Sequence, residues 1–110
     1  MISQVEAFLL AYLRSERPLE QGLPTVVQCA EAVHLSYNYL SDLLRKETGK
    51  TTQEHIHFFL IEEAKTELLT SQRPVNEIAF RLGFEYPQYF SKLFKRKVGL
   101  TPSQYRNGNQ

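Results

Sequence analysis

The sequence predicts an all-α protein of about seven helices, forming two helix-turn-helix subdomains joined by a long linker helix. Three observations indicate this fold class. Apolar residues recur at helical spacing along most of the 110 residues, no segment shows the sustained alternation of a strand, and two stretches repeat each other. The chain is long enough for one modest hydrophobic core. No apolar run reaches the roughly 18 residues that a membrane span requires.

The first helix is predicted for about residues 2–15, where Val5, Leu9 and Leu13 belong to one apolar stripe. Two prolines and a glycine follow in residues 17–24, so this stretch is expected to be a loop. The N-terminus has no cationic region followed by an apolar block and a cleavage site, so no secretory signal is evident.

Capping residues mark the next two helices. Thr25 and Gln28 have the spacing of a capping box, which opens the second helix. Cys29 lies on the apolar stripe of that helix, so a small buried hydrophobe is favoured over a reactive thiol. Ser36 is the expected N-cap of the third helix, and Gly49 is its expected left-handed C-cap.

The longest helix is predicted for about residues 51–70 and begins with a capping box at Thr51 and Glu54. Some 18 residues at 1.5 Å each span roughly 27 Å. Pro74 fits the first turn of the next helix, where its missing N–H costs little. The single domain of 110 residues is therefore divided into subdomain 1 at about 1–50, a linker helix at about 51–70, subdomain 2 at about 71–106 and a frayed tail at 107–110.

Residues 78–106 contain a second pair of helices and a final short one. An apolar helix leads to a turn at Gly83, and the helix after it is rich in Lys and Arg. The face of this helix opposite its apolar stripe carries donors without partners in the helix itself: Gln88, Ser91, Lys92 and Lys95. Two helices joined by a glycine turn, with outward donors on the second, suggest a helix-turn-helix with its recognition helix. A last helix follows Gly99, with a capping box at Thr101 and Gln104.

The chain repeats itself at an offset of about 50 residues, with one extra residue in the second turn. The aligned pairs include Val26 with Val75, Ala30 with Ala79, Leu35 with Phe84, Tyr39 with Tyr89, Ser41 with Ser91, and Gly49 with Gly99. Core, turn and cap positions all match, which indicates two copies of one unit. The linker helix has the length to hold two recognition helices about one DNA turn apart, roughly 34 Å, so that both enter successive major grooves.

Charge is distributed unevenly although the net charge is only +1. Residues 1–70 contain six Lys and Arg against ten Asp and Glu, whereas residues 71–110 contain seven against two. This polarity fits an anionic partner on the basic side. A solvated charged surface would give the same pattern, so charge alone leaves both interpretations open.

Two stretches of the sequence resemble the AraC/XylS family of bacterial transcriptional regulators. IAFRLGFEYPQYFSKLFKRKVGLTPSQYR, residues 78–106, matches the family signature at family spacing, and LSYNYLSDLLRKETGKT, residues 35–51, is similar to the family's first helix-turn-helix. The resemblance implies that the third and sixth predicted helices enter adjacent major grooves of double-stranded DNA.

By position, the resemblance also assigns candidate DNA-binding residues to both helices. The candidate base contacts are Tyr37, Asn38, Ser41 and Asp42 in the first unit and Pro87, Gln88, Ser91 and Lys92 in the second. The candidate phosphate or rim contacts are Arg45, Lys46, Lys95 and Arg96, with the helix starts at Ser36 and Tyr86.

Some of these residues suit particular contacts, and others depart from the pattern. Asn and Gln side chains suit adenine and Lys suits guanine, whereas Asp42 can only accept, for instance from cytosine N4. His34 stands where the second unit has Gly83, so the first turn is less free to take a positive φ. Tyr39 and Tyr89 are expected to be structural, wedging the two helices of each unit.

We therefore expect sequence-specific double-stranded DNA binding for transcription regulation. The alternative is a helical protein-interaction module that has lost DNA readout, which the acidic first half and Asp42 would favour. No Gly-rich phosphate loop, nucleophile–base set or metal-ligand cluster is present, so neither enzymatic activity nor a cofactor is expected. A lone cysteine suits the reducing cytoplasm. The resemblance implies RNA polymerase as a partner, and an N-terminal effector or dimerisation domain if the chain is a fragment.

Overall fold

A computed structural model describes residues 1–108, which form eight α-helices and no strand. The helices are α1 (Ile2–Leu13), α2 (Arg17–Gln21), α3 (Val26–Ala32), α4 (Tyr37–Thr48), α5 (Thr52–Thr70), α6 (Val75–Leu82), α7 (Pro87–Val98) and α8 (Pro102–Gly108). The all-α prediction is confirmed. None of these helices combines the length and the apolar character needed to cross a membrane. The prediction of a frayed tail at 107–110 is wrong for its first two residues, which belong to α8, and the other two, 109 and 110, lie outside the described residues.

The short helix α2 corrects the prediction of a loop at residues 17–24 and raises the helix count from seven to eight. Its Pro18 lies in the first turn, where the missing backbone N–H would have no helical partner in any case. The helix ends at Gly22, whose N–H donates to the carbonyl of Pro18 over 2.9 Å. The first proline therefore opens a helix instead of preventing one.

The predicted caps are present in the structure. The hydroxyl groups of Thr25, Thr51 and Thr101 each accept from a backbone N–H three residues later over 3.1 Å, and each return bond measures 2.9 Å. Ser36 caps α4 by accepting from the N–H of Tyr39. Pro74 lies one position earlier than expected, as the extended N-cap of α6 (ψ 150°), so Val75 is the first helical residue.

The core lies around α5, which packs against α1, α3, α4, α6 and α8. Its buried apolar residues include Ile56, Leu60 and Ala64. Arg14 at the end of α1 forms a bidentate ion pair with the buried carboxylate of Glu63, at 3.0 and 3.2 Å. The bond to Glu63 and its charge raise the pKa of Arg14 above its ordinary value. One long helix thus forms part of the core beneath both pairs of helices.

The N-terminal segment also contacts the second pair of helices, because α2 packs against α6. A Cβ placed on Gly83 would lie 2.7 Å from the carbonyl carbon of Gly22 and 2.8 Å from the nitrogen of Leu23. The carbonyl of Gly22 in turn accepts a 2.8 Å hydrogen bond from the hydroxyl of Tyr12. The turn that precedes α7 is therefore packed directly against backbone held by α1.

The turns of the two units have the same backbone form. Leu35 donates to the carbonyl of Ala30 over 3.0 Å, and Phe84 donates to the carbonyl of Ala79 over the same distance. His34 takes a positive φ of 59° at the position where Gly83 takes 108°. His34 therefore adopts the left-handed backbone conformation although it has a side chain. For a residue other than glycine, this conformation costs about 1–3 kcal/mol of stability.

Replacing His34 by glycine is expected to raise the free energy of unfolding by about 0.5–1 kcal/mol, because the relief of strain exceeds the added freedom of the unfolded chain. Urea unfolding followed by circular dichroism measures this gain. His34→Ala is the matched control, since it keeps a Cβ at the same φ and should leave stability nearly unchanged. An equal gain from both variants would mean that the imidazole, and not the backbone, carries the cost.

Candidate nucleic-acid interface

The two halves of the structure contain the same three-part unit. In the first, α3 leads through the His34 turn to α4, and in the second, α6 leads through the Gly83 turn to α7. Both second helices have twelve residues and end at a left-handed glycine that donates over 2.8 Å to the carbonyl four residues earlier. The extra residue of the second unit is Glu85, between Phe84 and the N-cap of α7. The sequence repeat therefore corresponds to a structural repeat.

One face of each second helix is anchored in the core. Leu40 and Leu44 of α4 are fully buried, as are Phe90 and Phe94 of α7. Phe94 also contacts the ring of Tyr105 in α8 edge-on, at a centroid distance of 5.5 Å. Because one face is fixed in this way, the opposite face of each helix is turned to solvent.

All fourteen candidate DNA-binding residues lie on or beside the outer faces of α4 and α7. Ser41, Pro87 and Ser91 are half-buried, and Ser41 and Ser91 are repeat-equivalent. The exposed members are Ser36, Tyr37, Asn38, Asp42, Arg45, Lys46, Tyr86, Gln88, Lys92, Lys95 and Arg96. Within residues 1–108, Ser36 alone among the fourteen uses its side chain in a hydrogen bond, as the cap of α4. The remaining polar groups are available to an outside partner.

The two outer faces differ in charge. The helix α7 carries four cations and no carboxylate: Lys92, Lys95, Arg96 and Lys97. In α4 the two cations Arg45 and Lys46 are offset by Asp42 and Glu47. The structure therefore presents a strongly cationic second helix and an electrically balanced first one.

The positive charge of α7 also affects titratable residues near the start of α5. Burial lowers the pKa of His57, and the nearby cations Lys97 and Arg96 lower it further. The pKa of Glu54 is also lowered, mainly by its hydrogen bonds from Thr51 and secondarily by lysines that include Lys97. This part of the surface therefore disfavours additional positive charge.

The prediction that Tyr39 and Tyr89 wedge the helices of each unit is wrong. Their side chains are 59% and 55% exposed. Each precedes a buried residue by one position, and a step of about 100° around the helix carries it out of the interface. Tyr89 instead contacts the ring of Tyr86 edge-on, at a centroid distance of 5.6 Å. The helical position of these tyrosines, and not their recurrence, was the signal that could have placed them on the surface.

Cys29 is fully buried beneath α1, and burial raises the pKa of its thiol to about 11. At neutral pH the thiol is therefore protonated, and the thiolate required for nucleophilic or redox chemistry is scarce. The prediction of a small buried hydrophobe is confirmed.

The chain is similar to bacterial transcription regulators. A family model described as a helix-turn-helix domain matches residues 29–108. The HTH-type transcriptional activator RhaR of Yersinia pseudotuberculosis is 34% identical over 91 residues, which cover 80% of this chain and 31% of the relative. The xylose operon regulatory protein of Escherichia coli is 33% identical over 84 residues, covering 76% of this chain and 21% of the relative. The chain thus spans a third or less of the length of these relatives.

Solved structures show the same fold. The DNA-binding domain of AdpA, determined in complex with a target DNA, has a TM-score of 0.80 and 25% identity, covering 97% of this chain and 90% of that one. The C-terminal domain of the two-component response regulator yesN from Fusobacterium nucleatum has a TM-score of 0.73 and 31% identity, covering 92% and 96%. Both similarities extend over nearly the whole of this chain.

Proposed function

The chain belongs to the AraC-type helix-turn-helix family, and from that premise we propose that it binds double-stranded DNA sequence-specifically to regulate transcription. The observation that carries this function is the pair of repeat-equivalent helices, α4 and α7, whose outer faces offer polar groups that have no partner within residues 1–108. The solved AdpA domain was determined with its target DNA, which supports the same use of this fold.

The two helices would enter successive major grooves on one side of the duplex. The 19 residues of the linker helix α5 span roughly 28 Å. This length is close to the roughly 34 Å that separates successive major grooves on one side of the duplex. The longest dimension of the molecule, 42 Å, is sufficient for that separation. In this arrangement residues 1–50 and 71–106 act as two reading subdomains, and α5 sets the distance between them.

We assign the candidate residues to base and phosphate contacts that suit their chemistry. Gln88 suits bidentate pairing with adenine, Lys92 suits guanine, and Asp42 accepts from cytosine. The other base contacts would be Tyr37, Asn38, Ser41, Pro87 and Ser91. Phosphate contacts would come from Arg45, Lys46, Lys95 and Arg96 and from the helix starts at Ser36 and Tyr86.

The relatives suggest the wider setting of this domain. They are transcription regulators, and one is called an activator, so we propose regulation of transcription in the cytoplasm through RNA polymerase and no enzymatic role. Since the chain matches a third or less of those relatives, we propose that it works with an N-terminal effector or dimerisation domain when it is part of a longer protein.

Selection of bound duplexes from a random library, followed by titration of the recovered sites at several salt concentrations, tests the proposed function. We expect a defined DNA site. A plot of the logarithm of the binding constant against the logarithm of the salt concentration should fall with a slope of nearly −1 for each phosphate neutralised. If no duplex is recovered and no salt-dependent binding is measured, the protein-interaction module becomes the better interpretation.

Lys92→Ala is expected to relax the preference for guanine at one position of the site, reducing discrimination there by about 1–3 kcal/mol. Competition binding with single-base variants of the selected site measures the change. Lys95→Ala is the matched control, because loss of a phosphate contact should weaken every sequence alike. A uniform loss with Lys92→Ala would remove this lysine from the base contacts.

A further inference from the structure

Tyr39 on α4 and Tyr89 on α7 are large exposed side chains that none of the assigned DNA contacts uses. They occupy equivalent positions in the two units, 50 residues apart. Both rings are more than half exposed, and neither hydroxyl group forms a hydrogen bond within residues 1–108. Among the described residues, each unit therefore presents a second free phenolic donor beside its outer face, in addition to Tyr37 in the first unit and Tyr86 in the second.

A cation follows each tyrosine seven residues later. These cations are Lys46 in α4 and Arg96 in α7, and residues seven apart lie on the same side of a helix. Each tyrosine and its cation therefore form a row about 10 Å long on one flank of the helix. The central face, which carries Gln88 and Lys92 in α7, lies roughly 60–100° away around the axis.

We propose that Tyr39 and Tyr89 donate hydrogen bonds from their hydroxyl groups to DNA phosphates and so position the two recognition helices. This inference rests on the proposed function. When a helix lies in the major groove, its central face meets base edges and its flanks meet the sugar–phosphate walls. A phenolic hydroxyl and a cation on the same flank form a neutral donor and a charged donor for one strand.

The second unit holds its tyrosine more firmly than the first. The ring of Tyr86 contacts Tyr89 edge-on, with an interplanar angle of 86°. In the first unit the position of Tyr86 is occupied by Ser36, whose side chain caps α4. Because Tyr89 has less freedom to lose on binding, its hydroxyl contributes more to affinity than that of Tyr39.

Tyr39→Phe and Tyr89→Phe test this proposal, because each removes one oxygen and keeps the ring. Binding to the selected site should weaken by up to about tenfold for Tyr89→Phe and less for Tyr39→Phe. The loss should be the same on single-base variants of the site. The salt dependence should not change, since a neutral donor displaces no counterion, whereas Arg96→Ala should lower the slope by about 0.9.

Thermal unfolding separates this role from a structural one. Both variants should keep the wild-type midpoint because the hydroxyl groups are exposed, whereas Tyr12→Phe, which removes the bond to Gly22, should lower it. Wild-type affinity in Tyr89→Phe, a changed base preference or a lowered midpoint would each overturn the proposal. Failure of the wild-type protein to bind any duplex would instead overturn the proposed function itself.

Discussion

Replacing Gly83 by alanine is expected to lower the free energy of unfolding by about 3 kcal/mol, from backbone strain and overpacking combined. The φ of 108° is unfavourable for any residue with a side chain. The new methyl group would also lie within 2.8 Å of three backbone atoms of Gly22 and Leu23. Backbone on both sides leaves no flexible side chain that can move away, so α2 and α6 must separate.

Gly99→Ala is the matched control for the contact between the two segments. Gly99 has a similar φ of 91°, but a Cβ there would meet no atom within 4 Å. Its replacement should cost only the conformational energy, about 1–2 kcal/mol. Denaturant unfolding of the two variants measures the difference, which reports the contact of Gly83 with Gly22 and Leu23. Equal losses would mean that this contact adds nothing to stability.

The interactions that could be predicted from the sequence are short-range ones. A threonine and a glutamine or glutamate three residues apart are sufficient to satisfy each other's backbone groups, so the capping boxes at Thr25, Thr51 and Thr101 required no knowledge of the fold. The repeat then extended these local assignments to whole units. The outer faces of α4 and α7 can also be predicted, because the buried apolar stripe of each helix determines which side remains exposed to solvent.

What could not be predicted depends on tertiary contacts. The helix α2 has only five residues and is stabilised by packing on α6, whereas Pro18 within it and Pro24 after it are typical of a loop. The contact between Gly22 and Gly83 joins residues 61 positions apart, and no local pattern marks it. The positive φ of His34 likewise follows from the geometry of the turn and not from the preference of histidine.

Removing the two adjacent cations Lys95 and Arg96 of α7 is expected to weaken DNA binding far more than removing the two equivalent cations of α4. Lys95→Ala with Arg96→Ala should reduce affinity by about a hundredfold and lower the salt slope by about 1.8, as two phosphate contacts are lost. Arg45→Ala with Lys46→Ala should reduce affinity by about tenfold or less. In α4 the neighbouring Asp42 already opposes the approach of phosphate, so its cations attract the duplex less strongly.

The comparison is well matched because the two pairs occupy equivalent positions. Both lie in the last turn of a twelve-residue helix, so each double variant loses a similar, small stabilisation by the helix dipole. Titration of the selected duplex at several salt concentrations measures the two losses, and thermal unfolding checks that both variants remain folded. Asp42→Asn should then raise the affinity for sites that have no cytosine opposite this residue, because it removes a negative charge from the DNA-facing side of α4. Equal losses from the two pairs would mean that the units share the phosphate contacts evenly, and that the acidic side chains of α4 are turned away from the DNA.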